Sequence, residues 1–496
     1  MKKILLVTGR TAQKDVKARV GKRQDCEIHV CQTDVASLLS KETIIAELKK
    51  RDLSGISMII VPGGMRGDFS GVTKELGVIC FKGPRYIADL PMVLDLVYSV
   101  KLSSEVPADE ILKEQINKDM ETEYMKALKR KPRLMIGGLG IGTGVTHVLA
   151  EIPDAAKLSD DCLAKKAKYY VDSGAAIVDV GMTSGEDNHQ RIAHIFDVLR
   201  REIDVPISID STDEKEILAG VDAGADLVLS IDESNRRIMP SIDVPVVVIP
   251  RDKNGIPPEP EERARVLEAT IEKLGREGFD KIVADPILEP VNLGFVRSMA
   301  AYYQFRQKHQ ETPMLMGAGN VTELFDADSV GINALIAGAC CEMNIDIVFT
   351  TEASRKTTGC VAELAKASRM MHVAGLRHQV PKDLYIDMLY FKDKEHEDMI
   401  PETNGVPFTC VAKTGIKMIE PHSFRIYLTD MINVLYYKDK TPVEGFRGRD
   451  AKDLYKAILN KITLTSEHAA YLGKEVYKAE IALKLGKSYV QDRELF

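Results

Sequence analysis

The sequence predicts an α/β protein built around a central eight-stranded (β/α)8 barrel, and three observations carry that expectation. From 134 to about 375, short apolar runs alternate regularly with longer amphipathic stretches. One stretch, VPISIDSTDEKEILAGVDAGADLVLSID at 205–232, reads as a complete strand–helix–strand unit, the connection that parallel strands require. Eight proposed strands over about 240 residues match the count and size of a closed barrel. A doubly wound open sheet is the runner-up. Around the barrel the chain divides into an N-terminal α/β (Rossmann-like) domain at 1–100, a connecting helix at 101–133, the barrel at 134–378, and a C-terminal α+β domain at 379–496.

Residues 1–100 place strands at 4–7, 27–30 and 57–61, with an amphipathic helix at 41–51. The run VPGGMRGD (61–68) is a strand followed by a glycine turn. Such turns at the carboxyl ends of open α/β sheets often meet ligands. Arg66 and Arg85 could there face an anion, or could be solvated arginines beside a tight turn. Residues 108–130 are charged and helical in pattern, and Pro132 introduces the next strand. Barrel strands are expected at 134–136, 176–180, 206–209, 227–229, 245–249, 282–284, 313–316 and 345–349. Beyond 380 the texture changes: strands are expected at 387–391, 424–428 and 433–437, then helices at 451–461 and 466–485, with Ser466 suited to an N-cap.

Composition narrows the function classes. At 496 residues with 45% hydrophobic and 28% charged residues, the chain has ample material for a packed core. A formal net charge of -7 argues against nucleic acid as the main partner. No apolar run approaches the roughly 20 residues that cross a bilayer. The N-terminal apolar run MKKILLV ends after a few residues, shorter than a secretory core, and reads as a first strand of a cytoplasmic protein. The eight cysteines contain no CxxC and are expected as buried reduced thiols. The ten histidines show no HxxxH pair, so no histidine metal site is expected.

Three carboxylates fall at expected strand ends, where the functional mouth of a parallel barrel lies. Asp179 sits in IVDVG (177–181), Asp210 ends PISID (206–210), and Asp285 follows IVA (282–284). A buried carboxylate can accept two parallel N–H bonds from an amidine-like edge such as that of a pterin. The same acids could hold a divalent metal, act as general bases, or simply cap the following helices. Gly138, Gly140 and Gly142 lie in GGLGIGTG (137–144), where successive N–H groups could cradle a diphosphate or form a plain flexible loop. Ser354, Arg355 and Lys356 lie in TTEASRKTTG (350–359), two cations among hydroxyls just before a helix, a setting that suits an anion.

The stretches GAAIVDVG, VPISIDST, AGADLVLS, ADP and PMLMGAGNVTEL (174–324) come in the order and spacing of the pterin-binding barrels. The chain thus resembles the dihydropteroate synthases and the corrinoid-dependent methyltetrahydrofolate methyltransferases over 134–375. Over its whole length, including HAAYLG (468–473) and YVQD (489–492), it is similar to the dihydropteroate synthase-related proteins of methanogenic archaea. The resemblance implies that Asp210 and Asp285 hold the pterin, with Asp179, Ser230 and Gly317 supporting the site. Ser230 occupies the neighbourhood where the synthases carry an asparagine. Asn320, in GNV rather than the synthases' Ser-Arg-Lys, matches the asparagine that bonds pterin in the methyltransferases.

Two enzymatic functions follow as expectations. In the first, a 6-hydroxymethyl-dihydropterin diphosphate condenses with an arylamine, implied to be a ribofuranosylaminobenzene phosphate of tetrahydromethanopterin biosynthesis, with Mg²⁺ at the leaving diphosphate. In the second, a methyl-tetrahydropterin donates its methyl group. A non-catalytic pterin-binding scaffold is the third reading. The oligomeric state stays open, with a homodimer entertained. His468 and Asp492 are candidate contacts whose plainer reading is a helix start and a polar tail.

Overall fold

Alternation of apolar residues in the first strands fills both faces of a small parallel sheet. The computed structural model describes residues 2–390 and 422–495. Strands β1 (Lys3–Thr8), β2 (Cys26–Val30), β3 (Ile56–Val61) and β4 (Ile79–Lys82) pair in the order β2-β1-β3-β4, all parallel. Ile4 and Leu6 pack with Val16 and Val20 of the helix Gln13–Val20. Leu5 and Val7 pack on the opposite face with Ile44, Leu48 and Val72. β4 was not anticipated: four residues between Gly77 and Gly83 are too few for periodicity to register.

The connecting segment forms two helices, Ala108–Ile111 and Lys113–Leu128. Ile116 and Met120 join the same apolar cluster as Met370 and Val373 of the helix Cys360–Arg377. The first sheet is thereby docked against the last helix of the barrel. A buried ion pair between Arg377 and Asp89 crosses this contact.

The barrel strands are β7 (His147–Ile152), β8 (Ile177–Gly181), β9 (Ile207–Asp210), β10 (Leu227–Ile231), β11 (Val246–Val248), β12 (Ile282–Ala284), β13 (Leu315–Gly317) and β14 (Ile347–Thr351). All pair in parallel in the order β12-β11-β10-β9-β8-β7-β14-β13. A parallel bridge from Ala284 to Met314 closes the ring. Leu149, Ile177, Leu227, Val247, Val283 and Ile347 fill its interior, while a larger cluster joins the outer strand faces to the helices. Each helix that follows a strand presents its apolar stripe inward. His189–Glu202, for example, buries Ile192, Ile195, Phe196 and Leu199.

The expected first barrel strand is corrected. Leu134–Ile136 is β5, one arm of an antiparallel hairpin with β6 (Leu139–Ile141), in which Leu134 faces Ile141. Gly137 turns at φ 54°, as a two-residue hairpin loop demands. A Cβ there would lie 2.9 Å from the Asp226 carboxylate and 3.2 Å from Pro206, residues that precede β10 and β9. The hairpin therefore plugs the amino-terminal end of the barrel, with Ile136 and Ile141 fully buried in the interior cluster. The arm pairs only with its own hairpin partner, and the place in the ring between β14 and β8 is taken by the longer run after Gly144.

In the C-terminal unit β15 (His422–Leu428), β16 (Ile432–Lys438) and β17 (Thr441–Gly448) form an antiparallel sheet. The helices Ala451–Leu459 and Ser466–Lys484 cover it through Leu454, Ile458, Leu472 and Val476. Thr465, not Ser466, caps the second helix by accepting from the His468 N–H. The strand expected at 387–391 does not form over 387–390, and residue 391 lies outside the described residues. All the described cysteines are free, and no helix among the described residues is long and apolar enough to cross a membrane.

Replacing Ile141 by Ala should lower unfolding stability in denaturant titrations by about 2–5 kcal/mol, the cost of an unfilled cavity at a fully buried site. Ligand binding at the opposite end of the barrel should be unchanged, because the plug makes no contact there.

Candidate active site at the carboxyl ends of the barrel strands

The period of two that points Leu149 and Ile177 into the barrel points Glu151 and Asp179 into it one layer higher. These two acids stand directly opposite each other in the β7–β8 register. Asp210 ends β9 opposite Gly181. Any Cβ on Gly181 would fall 2.3 Å from Glu151 Oε1, so only glycine leaves room for that carboxylate. One ligand atom from each of Glu151, Asp179 and Asp210 lies within 4.8 Å of the others.

The electrostatics of this trio are unfavourable by construction. Asp179 has no exposed surface. Its Oδ1 accepts the Ser208 hydroxyl at 2.5 Å and its Oδ2 has no partner among the described residues. Burial, then repulsion from Asp210 and Glu151, holds its pKa well above the usual carboxylate range. Asp210 is pushed up to about 7 by burial, then by Glu151 and by Asp285. Glu151 is also raised, mainly by burial. Among the described residues no side chain donates a hydrogen bond to Asp210. A half-buried carboxyl with both oxygens unclaimed is poised for a ligand.

Asp285 stands across the ring, beyond β12. Its Oδ1 accepts the Ile287 N–H at 2.8 Å and the hydroxyl of the fully buried Tyr302. Burial raises its pKa to about 6, against the lowering effect of those bonds. Oδ2 has no protein partner among the described residues. Asn320, just past β13, donates from Nδ2 to the Leu288 carbonyl at 2.8 Å. Gly317 lies beneath it, with space for a Cβ 3.8 Å from that Nδ2. Ser230, on β10, is half-buried and its carbonyl accepts from Asn235 at 2.9 Å.

A cavity of about 340 Å³ opens beside the trio. Its lining carries six acids, Glu151, Glu186, Asp187, Asp210, Asp213 and Glu216, and neither lysine nor arginine. Asp285 and Asn320 do not line this cavity; they face the mouth from the other side of the ring. Lys166 lies in the field of Glu352 first, then of Glu151 and Glu323, and burial lowers its pKa.

Two expected anion sites are corrected. Gly138, Gly140 and Gly142 belong to the hairpin plug, at the end of the barrel opposite Asp210, and cannot cradle a diphosphate at the mouth. The 354–356 loop does lie after β14, but its donors other than the exposed Arg355 guanidinium are largely taken. The N–H groups of Ala353 and Ser354 and the Thr357 hydroxyl all go to Glu323 Oε1, at 2.9, 3.2 and 2.6 Å. Lys356 bonds the Phe325 carbonyl and the Asp326 carboxylate, both at 3.0 Å. The anion that the loop composition called for is the protein's own glutamate.

Sequence reasoning missed Glu151 because the first strand was misplaced by eleven residues or more, and nothing local marks Glu151 as functional without that strand. Tyr302 was missed because its partner lies 17 residues away across a loop and a helix turn. Against the expected Mg²⁺, the trio offers hard carboxylate oxygens at close range and one buried oxygen without a partner. That donor set fits a divalent cation.

Comparison with known proteins places this geometry. The family model described as "Pterin binding enzyme" matches residues 153–333, and "PterinBD-DUF4346" matches 420–492. The Methanocaldococcus jannaschii protein named "Uncharacterized protein MJ0107" is 36% identical over 100% of this chain and 99% of its own length. The dihydropteroate synthase of Clostridium beijerinckii is 30% identical over 19% of this chain and 40% of its length. Among solved structures, a Yersinia pestis DHPS with a pterine-sulfa conjugate aligns over 48% of this chain and 97% of its own, at 17% identity and a TM-score of 0.39.

The raised carboxyls set a pH dependence. A group whose folded pKa lies above its unfolded value is stabilising below the unfolded value and loses that contribution as pH rises through the folded one. For Asp210 and Asp285 the loss falls between about pH 4 and pH 7. Thermal melts of Asp210→Asn should therefore exceed wild type at pH 8 and converge with it near pH 4.

Proposed function

The chain belongs to the same family as that Methanocaldococcus jannaschii protein, a family built on a dihydropteroate synthase-related pterin-binding barrel, and from this premise we propose that it binds a reduced pterin between Asp210 and Asp285 and transfers a group at the bound ring. The observation that carries the reading is the pair of acids at the ends of β9 and β12. Each keeps at least one acceptor oxygen unclaimed among the described residues, and the Asp285 charge helps to raise Asp210. A pterin's amino group and adjacent ring N–H form a donor pair that matches one carboxylate in geometry and charge. Asn320 adds a free carbonyl on the opposite side. Ligand donors would draw Asp210 into its ionised form, so binding would release a proton near neutral pH.

The acid-lined mouth favours methyl transfer from a methyl-tetrahydropterin. In that step the methyl carbon–nitrogen bond breaks, the carbon passes to an external soft nucleophile of the thiolate or reduced-corrinoid class, and the ring nitrogen keeps the electron pair. The nitrogen must gain a proton, and Glu151, a carboxyl that lines the cavity and is raised mainly by burial, is the acid placed to supply it. A mouth with six acids and no paired arginine or lysine in its lining repels a diphosphate leaving group.

A second reading has one specific observation in its favour. The Glu151, Asp179 and Asp210 trio could hold Mg²⁺, which would neutralise the acids and supply positive charge for a diphosphate. The chain would then act in synthase fashion, joining a hydroxymethyl-dihydropterin diphosphate to a phosphorylated arylamine such as the ribofuranosylaminobenzene phosphate of methanopterin biosynthesis.

Calorimetry on the full chain with a panel of reduced pterins tests both. Plain and methylated reduced pterins should bind in metal-free buffer, with proton release detectable between buffers of different ionisation enthalpy. Asp210→Asn and Asp285→Asn should each weaken binding by about 10- to 150-fold, the worth of a charged hydrogen bond. Diphosphate esters that bind as well as plain pterins without Mg²⁺ would refute the charge argument. Absence of pterin binding under any condition would refute the proposal itself.

A further inference from the structure

We propose that the N-terminal domain carries a second small-molecule site, independent of the barrel, that takes an uncharged ring compound of nucleoside type. The β2-β1-β3-β4 order sends the chain from β1 outward to β2 on one side and from β3 outward to β4 on the other. The helix Gln13–Val20 accordingly packs on one face, through Val16 and Val20, and the helix Ser70–Leu76 on the other, through Val72. Between the carboxyl ends of β1 and β3 the connections part, and a crevice opens where open α/β sheets hold ligands.

That crevice is a cavity of about 260 Å³. Ligand pockets run from roughly 300 to 1,000 Å³, so this one lies just under the lower end, which limits it to one small ring compound and excludes a dinucleotide. Its floor and walls are apolar, with Val16, Ile60, Ile87 and Leu90 among them. Its polar side chains are three hydroxyls, one carboxylate and the Arg85 guanidinium. Thr11 and Ser37 have side-chain oxygens without hydrogen bonds among the described residues, and the Thr8 hydroxyl reaches only its neighbour's carbonyl, at 3.5 Å. Asp34 stands exposed beside them, its nearest cation Arg10 at 3.7 Å.

Charge excludes the alternative that the glycine turn first suggested. Arg85 is the one basic residue of the lining, and it is already held by Asp109 at 2.7 Å and Glu110 at 3.1 Å. Arg66, the other arginine of the glycine turn, is exposed and does not line the cavity, so no unpaired cation stands in the lining. Accessible hydroxyls beside a carboxylate suit the diol and amino donors of a sugar and base, while the apolar walls suit the ring. A Cβ on Gly64 would stand 3.6 Å from the Ser37 Cβ across the rim, so larger residues at either position narrow the mouth.

The test is calorimetry on the full chain with adenosine, guanosine, uridine and riboflavin, each beside its 5′-phosphate, with hydrogen–deuterium exchange in parallel. At least one uncharged compound should saturate a single site below about 1 mM, protecting the backbone at 8–12 and 61–64. Its phosphate should bind no tighter. Gly64→Leu and Ser37→Phe should weaken it by about tenfold or more while leaving pterin binding at the barrel intact, and Asp210→Asn should leave it unchanged. Should one rim variant fail to fold, the other and the wild-type exchange pattern still decide. No saturation by any compound, tighter binding of the phosphates, or binding lost in Asp210→Asn and kept in Gly64→Leu would each overturn the proposal.

Discussion

Carboxylates packed together inside a barrel repel one another, and everything at the mouth of this one is arranged around that repulsion. Glu151 and Asp179 stand opposite each other on neighbouring strands and Asp210 stands two residues further toward the mouth, with no lysine or arginine among the described residues bonded to any of them. Their pKa values rise because burial strips away water and each raises the others. Such an arrangement is costly to the fold and persists because the surrounding barrel is rigid on all sides. The cost is also the source of binding energy. A ligand that brings donors, a proton or a metal cation relieves the repulsion, and the site is strongest for partners that do so.

The rest of the molecule serves to hold that ring in shape. The β5–β6 hairpin seals the end away from the acids with Ile136 and Ile141, so the interior is solid below the trio. Tyr302 and the Ile287 N–H fix Asp285 from outside the ring through one oxygen and leave the other available. Glu323 gathers the loop after β14, tying three donors from residues 353–357 to the helix-and-turn that follows β13. That loop is thus a brace for the mouth. The N-terminal sheet leans on the helix Cys360–Arg377 through a shared apolar cluster and the Arg377–Asp89 pair. A ligand in its crevice would sit close to an element that also shapes the barrel.

Charge distribution discriminates between chemistries that the fold alone does not. Pterin-binding barrels are compatible with condensation, methyl transfer or plain binding, because the scaffold fixes strand ends and leaves loop composition free. Here the cavity beside Asp210 is lined by acids without lysine or arginine. Of the two loops that could have offered phosphate a home, one is a plug and the other gives two backbone N–H groups and a hydroxyl to Glu323, with Arg355 left exposed.

Strand-end acids were legible because each ends an apolar run bounded by helix signals: Asp179, Asp210 and Asp285 all take the barrel positions their runs imply. The barrel itself, seven of its eight strands and both flanking units follow from periodicity, because a period of two or of 3.6 is a local property of the chain. The hairpin and β4 were not legible, since short runs carry too few residues for a period; a three-residue arm reads the same as a strand, which displaced β7 and with it Glu151, and β17 (TPVEGFRG) carries little apolar alternation. Tertiary structure alone decided which donors were free. Whether Arg85, Lys356 and the 353–357 amides could meet a ligand depended on Asp109, Asp326 and Glu323, acids brought to them by packing. Composition names the groups that can bind an anion, and only the folded contacts say whether the protein has already supplied one.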